Sequence, residues 1–173
     1  MATDTYVFTG NPDEIHMGPA GVYFDGTCLG YTLNDSVSIS ITHTPTPITP
    51  DQASLPIKDI ITEMEATVTV TLGEVTKEHF SLLPGVTDGV FKDPIGIDMK
   101  EIAKELTLVP IDSADENIYT FPKASPYMSG ELTFAKQTPQ GLQLTFKVYA
   151  DEDNADTNLK GAYMTITAKP AEA

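Results

Sequence analysis

Two stretches decide the fold class: Ser36-Val-Ser-Ile-Ser-Ile-Thr-His-Thr44 and Glu63-Met-Glu-Ala-Thr-Val-Thr-Val-Thr-Leu72. In the first, Val37, Ile39 and Ile41 alternate with Ser36, Ser38, Ser40 and Thr42. In the second, Met64, Ala66, Val68, Val70 and Leu72 alternate with Glu63, Glu65, Thr67, Thr69 and Thr71. A period of two puts one set of side chains on each face of a pleated strand, here one apolar face and one small, polar face. His43 continues the apolar face of the first strand.

Working outward, the rest of the chain repeats the bias. Ile, Val and Thr make up 46 of the 173 residues, and β-branched side chains suit a pleated, half-buried surface better than a helix. Further strands are expected at Gly21–Leu33, broken by the turn signal Asp25-Gly26, and at Glu131–Lys136, Leu142–Ala150 and Gly161–Lys169. The last two flank the acidic turn 151–159, which suggests a hairpin between them. Asp98–Glu105 is helix-like in composition and Leu106–Ile111 strand-like. Lys77–Leu83 reads as a short helix, with Thr76 as N-cap, Val75 and Phe80 as a hydrophobic staple, and Pro84-Gly85 as the stop. Many short strands, 13 prolines, 12 glycines and one helix point to a mainly β chain, a β-sandwich or barrel-like domain with one packed helix. The length suits one domain, residues 1–173.

The segment between the two deciding strands, Thr44-Pro-Thr-Pro-Ile-Thr-Pro-Asp-Gln-Ala-Ser-Leu-Pro-Ile-Lys-Asp-Ile-Ile61, is long for a loop within a compact domain. Ile48, Leu55, Ile57, Ile60 and Ile61 are too much apolar surface to leave in water, so the segment is expected to pack on a neighbouring subunit.

Charge narrows the function. Twenty-five acidic residues face ten Lys, with no Arg, for a formal charge of −15. Affinity that depends on neutralising phosphates is therefore disfavoured. The first 76 residues carry ten acidic groups against the single Lys58. The lone Cys28 forms no intramolecular disulfide and reads as a buried small hydrophobe. The N-terminus has no basic run followed by an apolar one, and no stretch approaches a membrane span, so a soluble cytosolic product is expected.

Sites for chemistry are sparse. His16, His43 and His79 have no ligand-spaced partner, and the acidic run Asp151–Asp156 departs from the calcium-loop pattern, with Ala155 at a ligand position. It and the cluster Asp112–Asn117 read as solvated turns. There is no nucleophile elbow, phosphate-binding loop or dinucleotide fingerprint. Neither an enzyme, a cofactor nor a metal is expected.

The order and spacing of several segments carry a resemblance. Gly18-Pro-Ala-Gly-Val22, Leu29-Gly-Tyr-Thr32, Pro47-Ile-Thr-Pro-Asp-Gln52, the run of strand, Gly-Glu and short helix from Thr67 to Leu83, Ala103–Pro110, Phe121-Pro-Lys-Ala-Ser-Pro126 and Leu142–Asp151 together resemble the tail tube (major tail) protein of long-tailed bacteriophages. No single motif is diagnostic; the resemblance spans roughly Gly18 to Thr167. It implies the phage tail tube fold: a β-sandwich with a flanking helix, forming homohexameric rings that stack into the channel for genome ejection. It also implies an N-terminal arm, 1–17, and an assembly loop, 44–62, reaching neighbouring subunits or rings.

On this reading Pro45, Pro47, Ile48, Pro50, Leu55, Ile57 and Ile60 form the subunit or ring interface. Ser36, Ser38, Ser40, Thr42, Glu63, Glu65, Thr67 and Thr69 line the lumen as a cation-free wall. The implied partners are further copies of the chain together with tape measure, tail terminator and tail-tip proteins, with DNA only as transient, non-specific cargo and no membrane. The implied location is the virion tail, after assembly from the host cytoplasm. The alternative is an immunoglobulin-like surface adhesion or decoration module, which would be monomeric and has no need of a long apolar loop.

Overall fold

A computed structural model of the chain describes residues 19–33, 36–52, 54–111, 117–132, 134, 136 and 139–170. The expected N-terminal arm, with His16, and the acidic cluster 112–116 lie outside them. The chain is mainly β, with antiparallel strands in a sandwich-like arrangement and one short helix. In order these are β1 (Ala20–Phe24), β2 (Thr27–Cys28), β3 (Ser38–Ile48), β4 (Lys58–Leu72), α1 (Lys77–Phe80), β5 (Val86–Thr87), β6 (Val90–Phe91), β7 (Lys104–Pro110), β8 (Asn117–Met128), β9 (Leu142–Tyr149) and β10 (Thr165–Ala168).

The main sheet runs β2-β1-β7-β8-β9-β4-β3, with β10 also on β8. Strand β8 makes it a sandwich. Its first half pairs with β7 and β10, for example Thr120 with Thr107 and Thr165; its second half, Lys123–Met128, pairs with β9. Pro122 stands at the change, where a residue without an N–H breaks the ladder at least loss. One layer is therefore β2-β1-β7-β8-β10 and the other β8-β9-β4-β3.

Between them lies the core. Val22, Phe24, Leu106, Leu108 and Phe121 come from the first layer and Val68, Val70, Leu72, Leu144 and Phe146 from the second, all at most 4% exposed. The rings of Phe24 and Phe146 meet at 5.3 Å between centroids, a tilted aromatic contact that bridges the layers. Each such side chain contributes about 1.5–3 kcal/mol through burial. The alternation read in the sequence holds where this core reaches: Ala66, Val68, Val70 and Leu72 are buried, and the threonines between them half-exposed.

Helix α1 has the expected N-cap but ends at Phe80, short of the expected Leu83, with Ser81 as C-cap. Thr76 Oγ1 accepts the His79 N–H at 3.3 Å, and Phe80 touches Phe91 edge-on at 5.6 Å between centroids. The turn at Asp25-Gly26 has both residues at positive φ, 51° and 74°, the primed hairpin geometry that this dipeptide favours.

Several expectations are corrected. Strand β10 pairs with β8 and not with β9; a single bridge, Asp151–Ala162, joins the ends that were expected to form a hairpin. The first layer needs an edge strand beside β8, and β9 is already taken between β8 and β4. The described residues of 131–136 form no strand. Residues 98–103 form turns, with Asp98 Oδ1 accepting the Lys100 N–H at 2.8 Å, and not a helix. Cys28 is exposed, since β2 is only two residues long and pairs with β1 alone among the described strands.

The long assembly loop is also corrected. Most of 44–62 is strand, because β3 runs on to Ile48 and β4 begins at Lys58, leaving only a tip between them. The extension is a two-stranded arm, and β9 accompanies β4 only as far as Thr67–Lys147.

Candidate assembly surfaces

The first surface is the outer face of the second layer. Direct pairs place Ser38 beside Thr69, Ser40 beside Thr67, Thr42 beside Glu65 and Thr44 beside Glu63. Strand β9 continues this face with Lys147 beside Thr67, exposed, and Thr145 beside Thr69, buried, its hydroxyl donating to Ser129 Oγ at 2.7 Å. Seven of the eight residues expected to share one polar wall are thus brought onto it. Ser36 lies before the ladder, where its Oγ accepts the Thr71 N–H at 2.8 Å and pins the incoming chain to β4.

The wall is not cation-free. Lys147 Nζ lies 3.5 Å from Glu65 Oε1, with both side chains about half exposed or more. Thr145, Gln143 and Lys147 were legible in the sequence: Leu142-Gln-Leu-Thr-Phe-Lys-Val-Tyr149 alternates as cleanly as the two deciding strands. What hid their place on the wall was the pairing of β9 with β4, a contact across about 75 residues of chain.

The second surface is a pair of open strand edges. Thr71 donates its N–H to Ser36 Oγ and accepts the Leu33 N–H at 2.9 Å, so its backbone faces β3. Counting by twos, the backbone groups of Thr69, Thr67 and Glu65 also face β3, and those of Ser38, Ser40 and Thr42 face back. Ile39, Ile41, His43, Pro45 and Pro47 therefore turn theirs to the open side. The two prolines have no N–H to offer there, a common device for blunting an edge, whereas Ile39, Ile41 and His43 present complete donor and acceptor sets. On the far side of the layer, β8 pairs beyond Ala124 with β9 alone; Ser125 and Pro126 are buried there, with Ser125 Oγ 3.8 Å from Met99 Sδ, and only Tyr127 and Met128 are exposed.

The third surface is the arm. Its register shifts between Thr44 and Pro45, where Thr62 is the extra residue; the Thr62 hydroxyl donates to the Thr44 carbonyl at 3.2 Å and lies 2.8 Å from the Thr46 hydroxyl. Such a bulge swaps the faces of the strand that carries it. Ile60 and Ile48 now share the face of the hydroxyl wall, while Ile61 shares the opposite face with Pro45 and His43. Both faces are apolar and both are open: Ile48 is 43% exposed, Ile57 70% and Leu55 75%. Pro47 is exposed as well, and Pro50 half-exposed at the tip. A two-stranded hairpin is marginal in water on its own.

Two of the clefts on the described surface are mostly apolar. One, of about 290 Å³, lies between the end of α1 and segment 94–102 and is lined by Phe24, Leu82, Leu83, Pro84, Ile97 and Ile102, with Pro126 and Lys104 beside them. The other, of about 370 Å³, includes Cys28, Glu74, Glu78 and His79. Among the described residues no three His, Cys, Asp or Glu side chains are grouped to hold a metal ion, and no helix is long and apolar enough to cross a membrane. The run Asp151–Asp156 is tied down by Lys123, 2.6 Å from Asp153 and 3.3 Å from Asp151. Lys123 donates to the Asp153 carboxylate, lowering the pKa of Asp153 and raising that of Lys123.

No protein-family model matches the chain, and no curated protein matches it.

Proposed function

We propose that the chain is a structural subunit that closes into rings and stacks into a tube, as the resemblance to phage tail tube proteins implies. The observation that carries this reading is the second layer of the sandwich. It has four antiparallel strands, with an open edge on β3 at Ile39–His43 and, at the far end, β8 beyond its pairing with β7, where Tyr127 and Met128 are exposed and Pro126 is buried and offers no N–H. Because the strand number is even, β3 and β8 run in opposite directions. Copies related by rotation about a ring axis would then bring β3 of one against β8 of the next in antiparallel sense, and the sheet would continue without a break. Closure into a barrel removes every such edge.

The sandwich core occupies one face of this layer, so the hydroxyl wall would face the channel. Ser38, Ser40, Thr42, Thr67 and Thr69 are short and uncharged, and Glu63 and Glu65 outnumber Lys147. DNA would pass such a wall without finding a row of cations to hold it. Six copies would carry about −90 in formal charge, so apolar contacts and salt screening must offset the repulsion. Tape measure, terminator and tip proteins belong to the same proposal, as does virion location.

A proline at Ile39 or His43 tests the edge. Either N–H faces away from β4 and has no acceptor among the described residues, so Ile39→Pro and His43→Pro should fold as wild type by circular dichroism. Both should fail to form rings in sedimentation velocity. Rings that persist in both variants would remove β3 from the joint.

A further inference from the structure

The edge of β8 on which ring closure would depend is covered in the free subunit, and its cover is weakly fastened. We propose that segment 93–103 is a displaceable guard over this edge, lying where a neighbour's β3 would pair and lifted when it does.

The segment straddles the edge. Ser129 donates its N–H to the Gln143 carbonyl at 3.3 Å. Counting by twos, the backbones of Tyr127, Ser125 and Lys123 face β9, and those of Ala124, Pro126 and Met128 face the other way. Ala124 is paired there with Lys104 of β7. Among the described residues this leaves a newcomer the Pro126 carbonyl and both backbone groups of Met128. Segment 93–103 wraps that stretch from both sides. Pro126 shares the core face with Phe146, and Ile97 and Ile102 stand across the 290 Å³ cleft from it. Ser125 shares the outer face with Lys147 and is fully buried, with Met99 Sδ 3.8 Å from its hydroxyl. A strand added along Pro126 would occupy the space that this segment fills.

The fastening is weak. Every residue from Asp93 to Ile102 is exposed except Met99, which is half-buried. The hydrogen bonds of the segment's backbone are local: Ile97 donates to the Pro94 carbonyl at 3.1 Å, Ala103 to Lys100 at 3.3 Å, and the Asp93 and Asp98 carboxylates accept the Ile95 and Lys100 N–H groups. All of them survive if the segment lifts as a unit. Its ion pair to the body, Lys100 with Glu152 at 3.4 Å, joins two exposed side chains and contributes little. Clefts undercut both flanks: the one beside Pro126, and another of about 340 Å³ where Asp98, Lys100 and Glu101 face Lys123 and Asp153. A segment with so few packed contacts opens at far less cost than the whole domain. Gly96, at φ 91° with open space around it, and the register shift between Lys104 and Leu106 provide a joint near each end.

Covering an edge with a loop is one way that β proteins prevent indiscriminate pairing. Here the cover shields the free subunit and yields to the strand that continues the sheet. A neighbour's β3 binds only the lifted state and so draws the population towards it. The identity of the incoming strand rests on the ring reading; the opening of the segment does not.

The test uses full chains in a Cys28→Ser background, which leaves no other thiol. Ser125→Cys is labelled with a maleimide in dilute protein, beside Val68→Cys from the core. Ser125→Cys should react about 100-fold faster, because lifting exposes it without global unfolding, and faster again when Met99→Ala removes its cover. Separately, Lys100→Cys and Glu152→Cys are joined by a short, reductant-cleavable bis-maleimide that ties the segment down. Tethered subunits should form no rings in sedimentation velocity and should form them once reductant is added. The same variant with both thiols capped by N-ethylmaleimide should form rings as wild type does. Equal labelling of Ser125→Cys and Val68→Cys would overturn the guard whatever the rings do. Rapid labelling with tethered subunits that form rings as readily as capped ones would also overturn it, while leaving the ring reading standing. Rapid labelling with no rings from any variant would overturn the guard and the ring reading together.

Discussion

Lys147 Nζ stands 3.5 Å from Glu65 Oε1, joining β9 to β4 across the outer face of the second layer. The pair is solvent-exposed, so its contribution to stability is about 0.2–1 kcal/mol at most. Its larger consequence is for the character of the wall. Glu65 neutralises Lys147 beside the serines and threonines of this face, and removing that balance would leave Lys147 free to hold a phosphate.

Glu63→Lys together with Glu65→Lys therefore converts the wall from weakly repulsive to adhesive. Assembled tubes of the double variant should retain duplex DNA at low salt, with an affinity that falls steeply as salt rises, while wild-type tubes retain none. Equal retention by both in a filter-binding series would place this face away from the channel.

Phe146 carries the joint between layers. Phe146→Ala should destabilise the fold by about 3–5 kcal/mol in urea unfolding. A double-mutant cycle with Phe24→Ala should return a coupling of about 0.5–1.5 kcal/mol. Additive effects would mean that the two rings touch without contributing as a pair.

Much of this core was legible because its strands alternate. Val68, Val70 and Leu72 declare themselves by period, and the Asp25-Gly26 turn and the Thr76 cap by residue type. Strand β8 was harder to read: Phe121-Pro-Lys-Ala-Ser-Pro126 carries two prolines, which argue against a central strand, and it tolerates them because β8 changes layers at Pro122 and has no strand partner but β9 at Pro126. The partner of β10 was not legible either, since short-range spacing favoured β9 and only the crowding of β9 between β8 and β4 excludes it. For the assembly surfaces, composition marked the right residues at 44–62 but not their form. Four prolines disguised a strand pair, and the faces of the arm depend on a bulge at Thr62 that no periodicity announces.

Pro45 and Pro47 follow from that arm. Replacing both by Ala restores two N–H groups to the open edge of β3 without touching the ladder to β4. The double variant should keep wild-type stability but scatter light earlier on concentration, through edge-to-edge pairing. Unchanged scattering would show that the prolines do not guard the edge.

Thr76→Ala should cost about 1 kcal/mol by loss of the cap on α1, read as a shift in the urea midpoint with an unchanged slope. No shift would mean that solvent replaces the hydroxyl fully.

Lys123 gives a pH dependence with a definite sign. Its hydrogen bond to Asp153 holds that carboxyl below the ordinary carboxylate range. The resulting stabilisation is complete above the unfolded-state value and lost as pH falls through the depressed one. Carboxyl resonances followed by NMR should show Asp153 titrating low in wild type and returning to the ordinary range in Lys123→Met. An unchanged midpoint in the variant would dissolve the pairing of the 151–156 turn with β8.

The most direct test of the tube account is negative-stain electron microscopy of the purified protein across a series of concentration and salt, repeated with tail-tip complexes added as nuclei. The account predicts rings that stack into tubes with a central channel, favoured by salt because screening relieves the repulsion between copies of charge −15. A protein that stays monomeric throughout, nuclei included, would contradict it and leave the open edges and the apolar arm to a partner other than its own kind.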